Sequence, residues 1–455
     1  MKFRVAVTTA VGLAAVLGAL TAPASSAADQ SSGTTVWSRS SEAGQLAEVG
    51  SKYTGSLEGL TKNSSPSDAP LRPAQTSPEE EDRKAKENGD TYVVDSSADT
   101  LPAPLNSPAA GPGPIPDWAG CNGRSEGHRP QGQVINHFEF CRWGYNIATK
   151  LDGKGRVEGQ VRFKETEVGW GSNSGRGARI NVKTTELKST GIFASGATMS
   201  LQPTTSGWPA LKGCKVENFG TGTHSKPVSN WNNAYVFYDL SSPIGDPNRI
   251  DKISLCVFQS NYKVSGPRGA TPWSDGNDGG LRMDSAAYLN PYGKQGAIFD
   301  RVTPFLAYDY KNADVKAVAE HINTAFTKPN STRPLPAAGQ KKLIPGNYFA
   351  NGTVVHRNFP GFNAASKKIS TANRTAKDKA CKPLTKPNPT DQCDEFPFAS
   401  TKEGAGRGDG NFSVRYVPQP DNSKAGSALS KWYGQDRILD GDKYGVVIKN
   451  APAAP

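Results

Sequence analysis

The chain of 455 residues carries a formal net charge of +11, and only 35% of its residues are hydrophobic. A chain of this length predicts two or three domains, and so polar a composition, with 48 glycines and 34 prolines, excludes one large globule with a single core. Beyond Leu20 no apolar run is long enough to span a membrane.

The first 27 residues have the pattern of a secretory signal peptide. Two basic residues precede an apolar run that ends near Leu20, and small residues at positions 25–27 suit a signal peptidase. We therefore expect a secreted, extracellular protein that is cleaved near Ala27. We expect no insertion into a membrane.

Residues 28–120 have the composition of a disordered segment, because Ser, Ala, Pro, Gly and Asp dominate and large apolar residues are few. Such a stretch buries too little apolar surface to offset the entropy of ordering. A propeptide and a spacer from the cell surface would both look like this.

Residues 121–310 predict a β-rich domain. Val157, Val161 and Phe163 alternate with polar residues, which is the period of a half-buried strand, and further candidates occur at 234–238 and 253–258. Clusters of Gly, Asn, Ser and Pro separate them, so we expect an antiparallel sandwich. Core packing is the favoured use of four of its tryptophans, with a carbohydrate-binding face as the alternative: Trp143, Trp170, Trp208 and Trp231.

The block 311–455 holds nearly the whole excess of positive charge, which favours a polyanionic partner such as DNA. Attraction to an anionic cell wall, or solubility alone, remains an alternative. Helices are predicted over 314–327, 371–380 and 423–433, and strands over 412–417 and 444–448. His321 lies beside the apolar stripe of the first helix and is interpreted as a boundary residue.

The six cysteines form an even set in an exported chain, which favours disulfides over metal thiolates. Six cysteines allow 15 connectivities, and the sequence does not choose among them. We favour pairing between neighbours, because each pair then stays inside one block of the chain: Cys121–Cys141, Cys214–Cys256 and Cys381–Cys393.

The densest polar motif runs from Cys393 to Gly408, CDEFPFASTKEGAGRG. Phosphodiester hydrolysis needs a base, a cation and positive side chains that hold the strand. Asp394 or Glu395 is a candidate base, and Asn422 or Asp421 a candidate ligand for Mg²⁺, which needs few protein oxygens. Candidate phosphate-binding residues are Lys402, Arg415 and Lys424.

Each of these features also has an ordinary structural explanation. Adjacent carboxylates usually form a solvated turn, and Asp421-Asn422 makes a good helix N-cap without any further role. The glycine-rich stretch 404–410 lacks the pattern of a P-loop.

The run CDEFPFASTKEG, followed by SVRYVPQPDNSKAGS, resembles the core signature of the NucA/NucB family of secreted bacterial deoxyribonucleases. Weaker similarity extends the resemblance over roughly residues 313–450. It implies a small α/β nuclease domain of the ββα-metal type in which Asp394 is the general base. It further implies that Asn422 holds the metal and that Glu395 orients water or a basic neighbour.

The chain departs from that family pattern in three places. No carboxylate follows in the helix after Asn422, the loop 404–411 is long, and the segment 329–370, which includes His356, has no counterpart. No histidine lies near these motifs in the sequence, which fits the aspartate variant that the resemblance implies. The resemblance says nothing about residues 28–310.

The sequence therefore predicts a secreted endonuclease that uses Mg²⁺ or Mn²⁺ to cut DNA with little sequence specificity. The alternative is a secreted protein that binds DNA, or a cell wall or glycan through its β-rich domain, and whose nuclease-like domain is inactive.

Overall fold

The structure is a computed structural model, and it describes residues 34–53, 61–62, 69–70, 72–97, 115–219, 224–276 and 278–452. The predicted signal peptide lies outside the described residues. Within them, no helix is long and apolar enough to cross a membrane.

The strands are β1 (Thr35–Ser40), β2 (Thr61–Lys62), β3 (Thr91–Asp95), β4 (Gln133–Asn136), β5 (Glu139–Leu151), β6 (Val157–Trp170), β7 (Gly177–Gly191), β8 (Thr198–Trp208), β9 (Lys215–Glu217), β10 (His224–Pro227), β11 (Ala234–Ser241), β12 (Ser254–Gly266), β13 (Gly269–Ala270), β14 (Gly279–Asp284), β15 (Gly296–Ile298), β16 (Thr303–Asp309), β17 (Val355–His356), β18 (Gln392–Phe396), β19 (Ser413–Val417) and β20 (Lys443–Lys449). The helices are α1 (Pro78–Asn88), α2 (Trp118–Asn122), α3 (Lys316–Thr327), α4 (Tyr348–Asn351), α5 (Ala364–Cys381) and α6 (Gln419–Gln435).

Two antiparallel sheets form the β-rich region, as the alternating sequence pattern predicts. One sheet has the order β2-β1-β5-β6-β7-β11-β9, with β4 also on β5, and the other has the order β10-β8-β12-β14-β15, with β13 also on β12. Their inward side chains share one core, in which Phe163, Ile180 and Tyr238 from the first sheet meet Phe258 and Leu281 from the second. The β-rich class is thereby confirmed.

The tryptophans of this region serve packing. Trp231 is fully buried in the core, and its indole N–H donates to the Met199 carbonyl at 2.7 Å. Trp143 and Trp170 pack against the small cluster around the Cys121–Cys141 pair, and Trp208 packs against a second satellite cluster.

The segment that we predicted to be disordered contributes a strand to each region. β1 pairs with β5 along its whole length, and β3 lies parallel to β16 in the C-terminal sheet. Both short strands are stabilised by partners far away in the chain, which composition does not reveal. The described part of 28–120 therefore differs from the expectation.

α1 is a further ordered element in that segment. The Ser77 side chain accepts from the Glu80 N–H, and Pro78 occupies the first turn, which is a strong helix start. Glu81, which is buried, accepts from the Arg301 guanidinium at 2.6 and 2.9 Å. This buried ion pair attaches the helix to the β-rich region.

The C-terminal region has its own four-stranded sheet, in the order β17-β20-β16-β3. β16 lies parallel to both β20 and β3, although its residues fall before position 311, where we predicted this region to begin. The core between the sheet, α3 and α6 contains Leu306, Val318, Ile322, Trp432 and Val446. A separate two-stranded sheet, β18-β19, completes the region.

Buried charged groups join the two regions. Arg437 donates from Nε to the Asp284 carboxylate at 3.0 Å, and Arg282 donates to Asp442 at 2.6 Å. The ring Nδ1 of the buried His137, from the β-rich region, lies 2.7 Å from the Asp436 carbonyl oxygen. Moving the regions apart would leave these buried charges without partners, which costs free energy. The contacts therefore fix the two regions against each other.

The C-terminal helices follow the sequence prediction in type and partly in extent. α3 agrees with the predicted helix 314–327, whereas α5 begins earlier than predicted, because the Asn363 side chain accepts from the Ser366 N–H and caps it there. α6 begins at Gln419 with Pro420 in its first turn, so Asp421 and Asn422 lie inside the helix and are not its N-cap.

Candidate active site

A cavity of about 560 Å³ lies beside β18, between α5 and α6. β18 pairs with β19 on one side, and no strand of the described part of the chain covers its other edge. Seven charged or amide side chains contribute to the lining: Arg357, Asn358, Arg374, Lys377, Asp394, Glu395 and Asn422.

Asp394 lies in the middle of β18, directly opposite Arg415 of β19, and only 6% of its surface is exposed. Its Oδ2 is 2.6 Å from Nδ1 of His321, which α3 presents to this face of the strand pair. The other ring nitrogen of His321 is 2.7 Å from the Ser413 hydroxyl. Both ring nitrogens are thus bonded, and the carboxylate is held in one orientation.

His321 is therefore the residue that the sequence interpretation missed. Only 1% of its surface is exposed, and it belongs to the apolar face of α3 together with Val318 and Ile322. His321 reaches Asp394 in space although it lies 73 residues earlier in the sequence. The available signal was its spacing of three residues from Val318, which turns the ring inward.

Glu395 points to the opposite face of β18, toward α5, because side chains alternate along a strand. Its Oε1 accepts from the Ala399 N–H at 3.2 Å, and its Oε2 is 3.9 Å from the Lys377 ammonium. Burial, and next the charge of Asp394, raise the pKa of Glu395 to about 8. Two adjacent carboxyl groups thus have different surroundings at one cavity.

Asn422 lines the cavity from the first turns of α6, whereas Asp421 does not. The Asn422 amide donates to the Gln392 side chain at 2.9 Å, so its oxygen is the atom that can bind a cation. Asp421 instead accepts from the Ala317 N–H at 3.0 Å, at the first turn of α3. Its position one residue earlier on α6 turns it toward that helix.

The predicted phosphate-binding residues lie outside the cavity lining. Lys424 pairs with Asp314 at the surface, and Arg415 is 3.9 Å from Glu320. Lys402 is exposed, in the loop whose backbone bonds to His356. The basic groups that do line the cavity are Arg357, Arg374 and Lys377.

Arg357 belongs to the segment 329–370, for which the family resemblance offered no counterpart. In the same segment His356 bonds from its backbone N–H and from Nδ1 to the Glu403 carboxylate, each at 2.8 Å. Glu403 is the glutamate of the motif's Glu-Gly step. The segment is thereby tied to the loop after β18 and brings Arg357 to the cavity.

The cysteines lie in the neighbour pairs that we favoured. Cys381 ends α5 and Cys393 lies in β18 next to Asp394, and their Cα atoms are 6.2 Å apart. The pairs Cys121–Cys141 and Cys214–Cys256 lie at disulfide distance within the β-rich region. The Cys381–Cys393 pair fixes α5, which carries Lys377, against β18, which carries both carboxylates.

The donors at this cavity suit a hydrated divalent cation. Among the described residues no three His, Cys, Asp or Glu side chains converge to hold a metal by themselves. An amide oxygen and a nearby carboxylate do fit Mg²⁺ or Mn²⁺, because such ions keep several water ligands. A closed zinc-type site is a poor fit to this oxygen set.

Comparison with known proteins gives one match. No curated protein and no solved structure matches the chain. The family model Deoxyribonuclease NucA/NucB matches residues 350–447, which include α5, β18, β19, α6 and most of the cavity lining. The C-terminal region therefore carries a match to the NucA/NucB deoxyribonuclease family, which confirms the resemblance and supports a deoxyribonuclease function.

Proposed function

We propose that this protein is a secreted, metal-dependent endonuclease that hydrolyses DNA phosphodiester bonds with little sequence specificity. The observation that carries the proposal is that Asp394, Glu395 and Asn422 line one cavity inside the matched region. The three residues come from a strand and a helix that the chain brings together from either side of β19.

Asp394 is the general base in this proposal. Its carboxylate takes a proton from the attacking water, and the oxygen of the hydroxide so formed makes the new bond to phosphorus. Nδ1 of His321 contacts the carboxylate at 2.6 Å, and the Ser413 hydroxyl holds the other ring nitrogen at 2.7 Å, so both residues help to orient the base. His321 is a positioning residue, because it is buried behind the carboxylate.

Glu395 supplies the second proton transfer. Because its pKa is raised to about 8, the side chain is mostly protonated at neutral pH. It donates that proton to the oxygen that leaves phosphorus, and the carboxylate that remains is stabilised by Lys377 at 3.9 Å. This proposed role differs from the one that the family resemblance implies, in which Glu395 orients water or a basic neighbour.

Asn422 would hold a Mg²⁺ or Mn²⁺ ion through its amide oxygen. Such an ion, when bound, neutralises charge on the scissile phosphate. Asp421 is not proposed as a ligand, because its carboxylate caps α3.

We propose that β18, β19 and α6 form a ββα-metal unit. In favour of this assignment, the candidate base lies on the first strand and the candidate metal-binding amide on the following helix. The order of these elements is the one that the family resemblance implies.

DNA would be held mainly through its phosphates. Arg374 and Lys377 line the cavity, and the exposed side chains of Arg415 and Lys424 would reach phosphates that flank it. Lys402 would act at a greater distance. Contacts of this kind carry little sequence information and weaken with salt.

Export is part of the proposal. The N-terminal pattern is that of a signal peptide, and three cysteine pairs at disulfide distance suit an oxidising environment. We assign no wall-binding role to the β-rich region, because its tryptophans serve packing.

The test is cleavage of supercoiled plasmid by the purified chain with Mg²⁺, with Mn²⁺ and with EDTA, under oxidising conditions. We expect nicking with either metal and none with EDTA. If the protein binds the plasmid but leaves it intact with every metal, the proposed nuclease activity is refuted and the DNA-binding alternative is favoured.

A further inference from the structure

Arg357 is a buried cation without a carboxylate partner. Only 8% of its surface is exposed, and the hydrogen bond of its side chain goes from Nη1 to the Ile438 carbonyl. Nearby buried arginines are neutralised, since Arg282 pairs with Asp442 and Arg437 pairs with Asp284. In the described part of the chain, no ion pair is present for Arg357.

An aromatic cage holds the Arg357 guanidinium at the cavity. Its central carbon lies 4.4 Å from the ring centre of Tyr433, 5.6 Å from that of Tyr288 and 5.7 Å from that of Phe359. Cation–π contacts stabilise the charge, but they leave the N–H groups in the plane of the guanidinium able to donate. All four residues line the same cavity as Asp394.

Tyr288 comes from the β-rich region and lies outside the residues that match the nuclease family. Its ring stacks on Phe359 with the ring centres 4.3 Å apart. Its hydroxyl donates to Asp251 at 3.2 Å and accepts from the Asp440 N–H at 3.2 Å. Burial and the charge of Asp251 raise the pKa of Tyr288, so the hydroxyl keeps its proton.

We infer that Arg357 binds a phosphate of the DNA in this cavity and that Tyr288 of the β-rich region holds Arg357 in place for it. The inference rests on the proposed function and adds a residue from outside the matched domain to the site. A buried, unpaired guanidinium is costly to keep in a protein, and an anion in the cavity would neutralise it.

Phosphate is the anion that fits best. Its oxygens match the fork of guanidinium N–H groups, which can donate two parallel bonds. The Asp394 carboxylate would otherwise repel DNA from the cavity. Arg357 lies on the side of α6 and Tyr433, whereas Arg374 and Lys377 lie on α5, so cations contact the cavity from two walls.

The first test is Arg357→Met in the full chain, which removes the charge and keeps much of the volume. We expect the Kd for a labelled DNA duplex, measured in EDTA, to rise about ten- to a hundred-fold, as for one lost charge-assisted contact. The dependence of log Kd on log salt should become shallower by about one unit. Thermal stability should not fall, because a buried unpaired charge has been removed.

Arg407→Ala is the matched control, since Arg407 is an exposed arginine of the same region that pairs with Asp409. We expect it to leave the Kd near the wild-type value. Equal Kd values and salt slopes for wild type and Arg357→Met would overturn the inference.

Tyr288 is tested by a pair of variants. Tyr288→Leu removes the ring, and we expect the DNA Kd to rise about three- to ten-fold, the range of a cation–π contact. Tyr288→Phe keeps the ring and should bind more tightly than Tyr288→Leu. If both variants bind like wild type, the β-rich region has no part in holding Arg357.

A readout without DNA separates this inference from the proposed function. Inorganic phosphate should raise the Tm of the wild type and of Arg407→Ala, but not that of Arg357→Met. A wild type that neither cuts nor binds DNA, yet shows this phosphate effect, would refute the nuclease and retain the anion site. If the wild type cuts DNA and Arg357→Met matches it in every assay, the nuclease is retained and the anion site is refuted.

Discussion

The interior of the β-rich region and the cavity of the C-terminal region both bury charged side chains, but they treat the charges differently. In the β-rich region Arg142 pairs with Glu167 at 2.6 Å, and Arg39 pairs with Glu165 at 3.1 Å. In the C-terminal cavity Asp394 is bonded to a histidine, Glu395 is 3.9 Å from its nearest cation and Arg357 has no ion pair in the described residues.

This difference distinguishes a structural role from a chemical one. Charges that neutralise each other inside a core contribute to a specific packing arrangement and gain little from a ligand. Charges that face a cavity without full neutralisation have interactions left to make with a substrate. In the sequence, Asp394-Glu395 and Glu165/Glu167 are two similar pairs of acidic residues, and nothing tells their roles apart. The surroundings separate them.

The strongest test of the comparison is Asp394→Asn, which keeps the shape of the side chain and removes its basicity. We expect kcat for DNA cleavage to fall about a thousand-fold or more, because the general base is lost. DNA binding in EDTA should be retained. Asp409→Asn, an exposed acidic position of the same region, is the charge-matched control. A fully active Asp394→Asn enzyme would remove Asp394 from the mechanism.

For the buried pair of the β-rich region we expect a loss of stability and no loss of activity. Glu167→Gln leaves the Arg142 charge without its partner, and we expect the free energy of unfolding to fall by about 3–5 kcal/mol. The double variant Arg142→Met with Glu167→Leu should recover most of that loss. Urea unfolding measures both. A change in kcat of the folded Glu167→Gln protein would contradict the purely structural role.

His321 lies between these two cases, because it is buried yet contacts the candidate base. We expect His321→Ala to lower kcat about 10- to 100-fold with little change in KM, as for loss of a group that orients a catalytic side chain. His321→Gln, which can still donate a hydrogen bond, should recover part of the activity and alter the pH profile. If KM changes and kcat does not, His321 serves substrate binding or packing instead.

An effect confined to high pH is expected for Glu395→Gln in the absence of metal. The pKa of Glu395 is raised in the folded protein from 4.5 to about 8, so ionisation opposes folding. The cost is absent below about pH 4.5, grows as the pH rises to about 8 and is complete above it. We therefore expect the Tm of Glu395→Gln to exceed that of wild type at pH 9 and to equal it near pH 4.5, measured by thermal unfolding in EDTA. Equal Tm values at pH 9 would contradict the raised pKa.

Sequence periodicity predicted the helices and strands whose own residues carry a clear apolar pattern. The apolar stripe of α3 and the alternation in β19 gave these elements within a few residues of their ends, and the alternation from Val157 to Phe163 gave the first half of β6. The short strands β1 and β3 have no such pattern, because their stability comes from pairing with β5 and β16. Composition therefore led to a prediction of disorder where the structure has strands.

The candidate site was predictable where a motif lies in one stretch of sequence. Asp394, Glu395 and Asn422 belong to such stretches, and they do line one cavity. His321, Arg357 and Tyr288 reach the same cavity from separate stretches, through helix packing, the His356–Glu403 contact and the junction between the two regions. A single sequence contains no signal for contacts of that kind.

The parallel pairing of β16 with both β3 and β20 affects how the protein can be made. The family match begins after both β3 and β16, so a fragment cut to the matched residues would contain β20 without its parallel neighbour. β3 and β16, which pair directly, are separated in the sequence by strands β4 to β15 of the β-rich region. Strands so far apart in the chain pair slowly, because a long loop must close first. We therefore expect the four-stranded sheet of the C-terminal region to form late in folding, after the β-rich region has brought β3 close to β16.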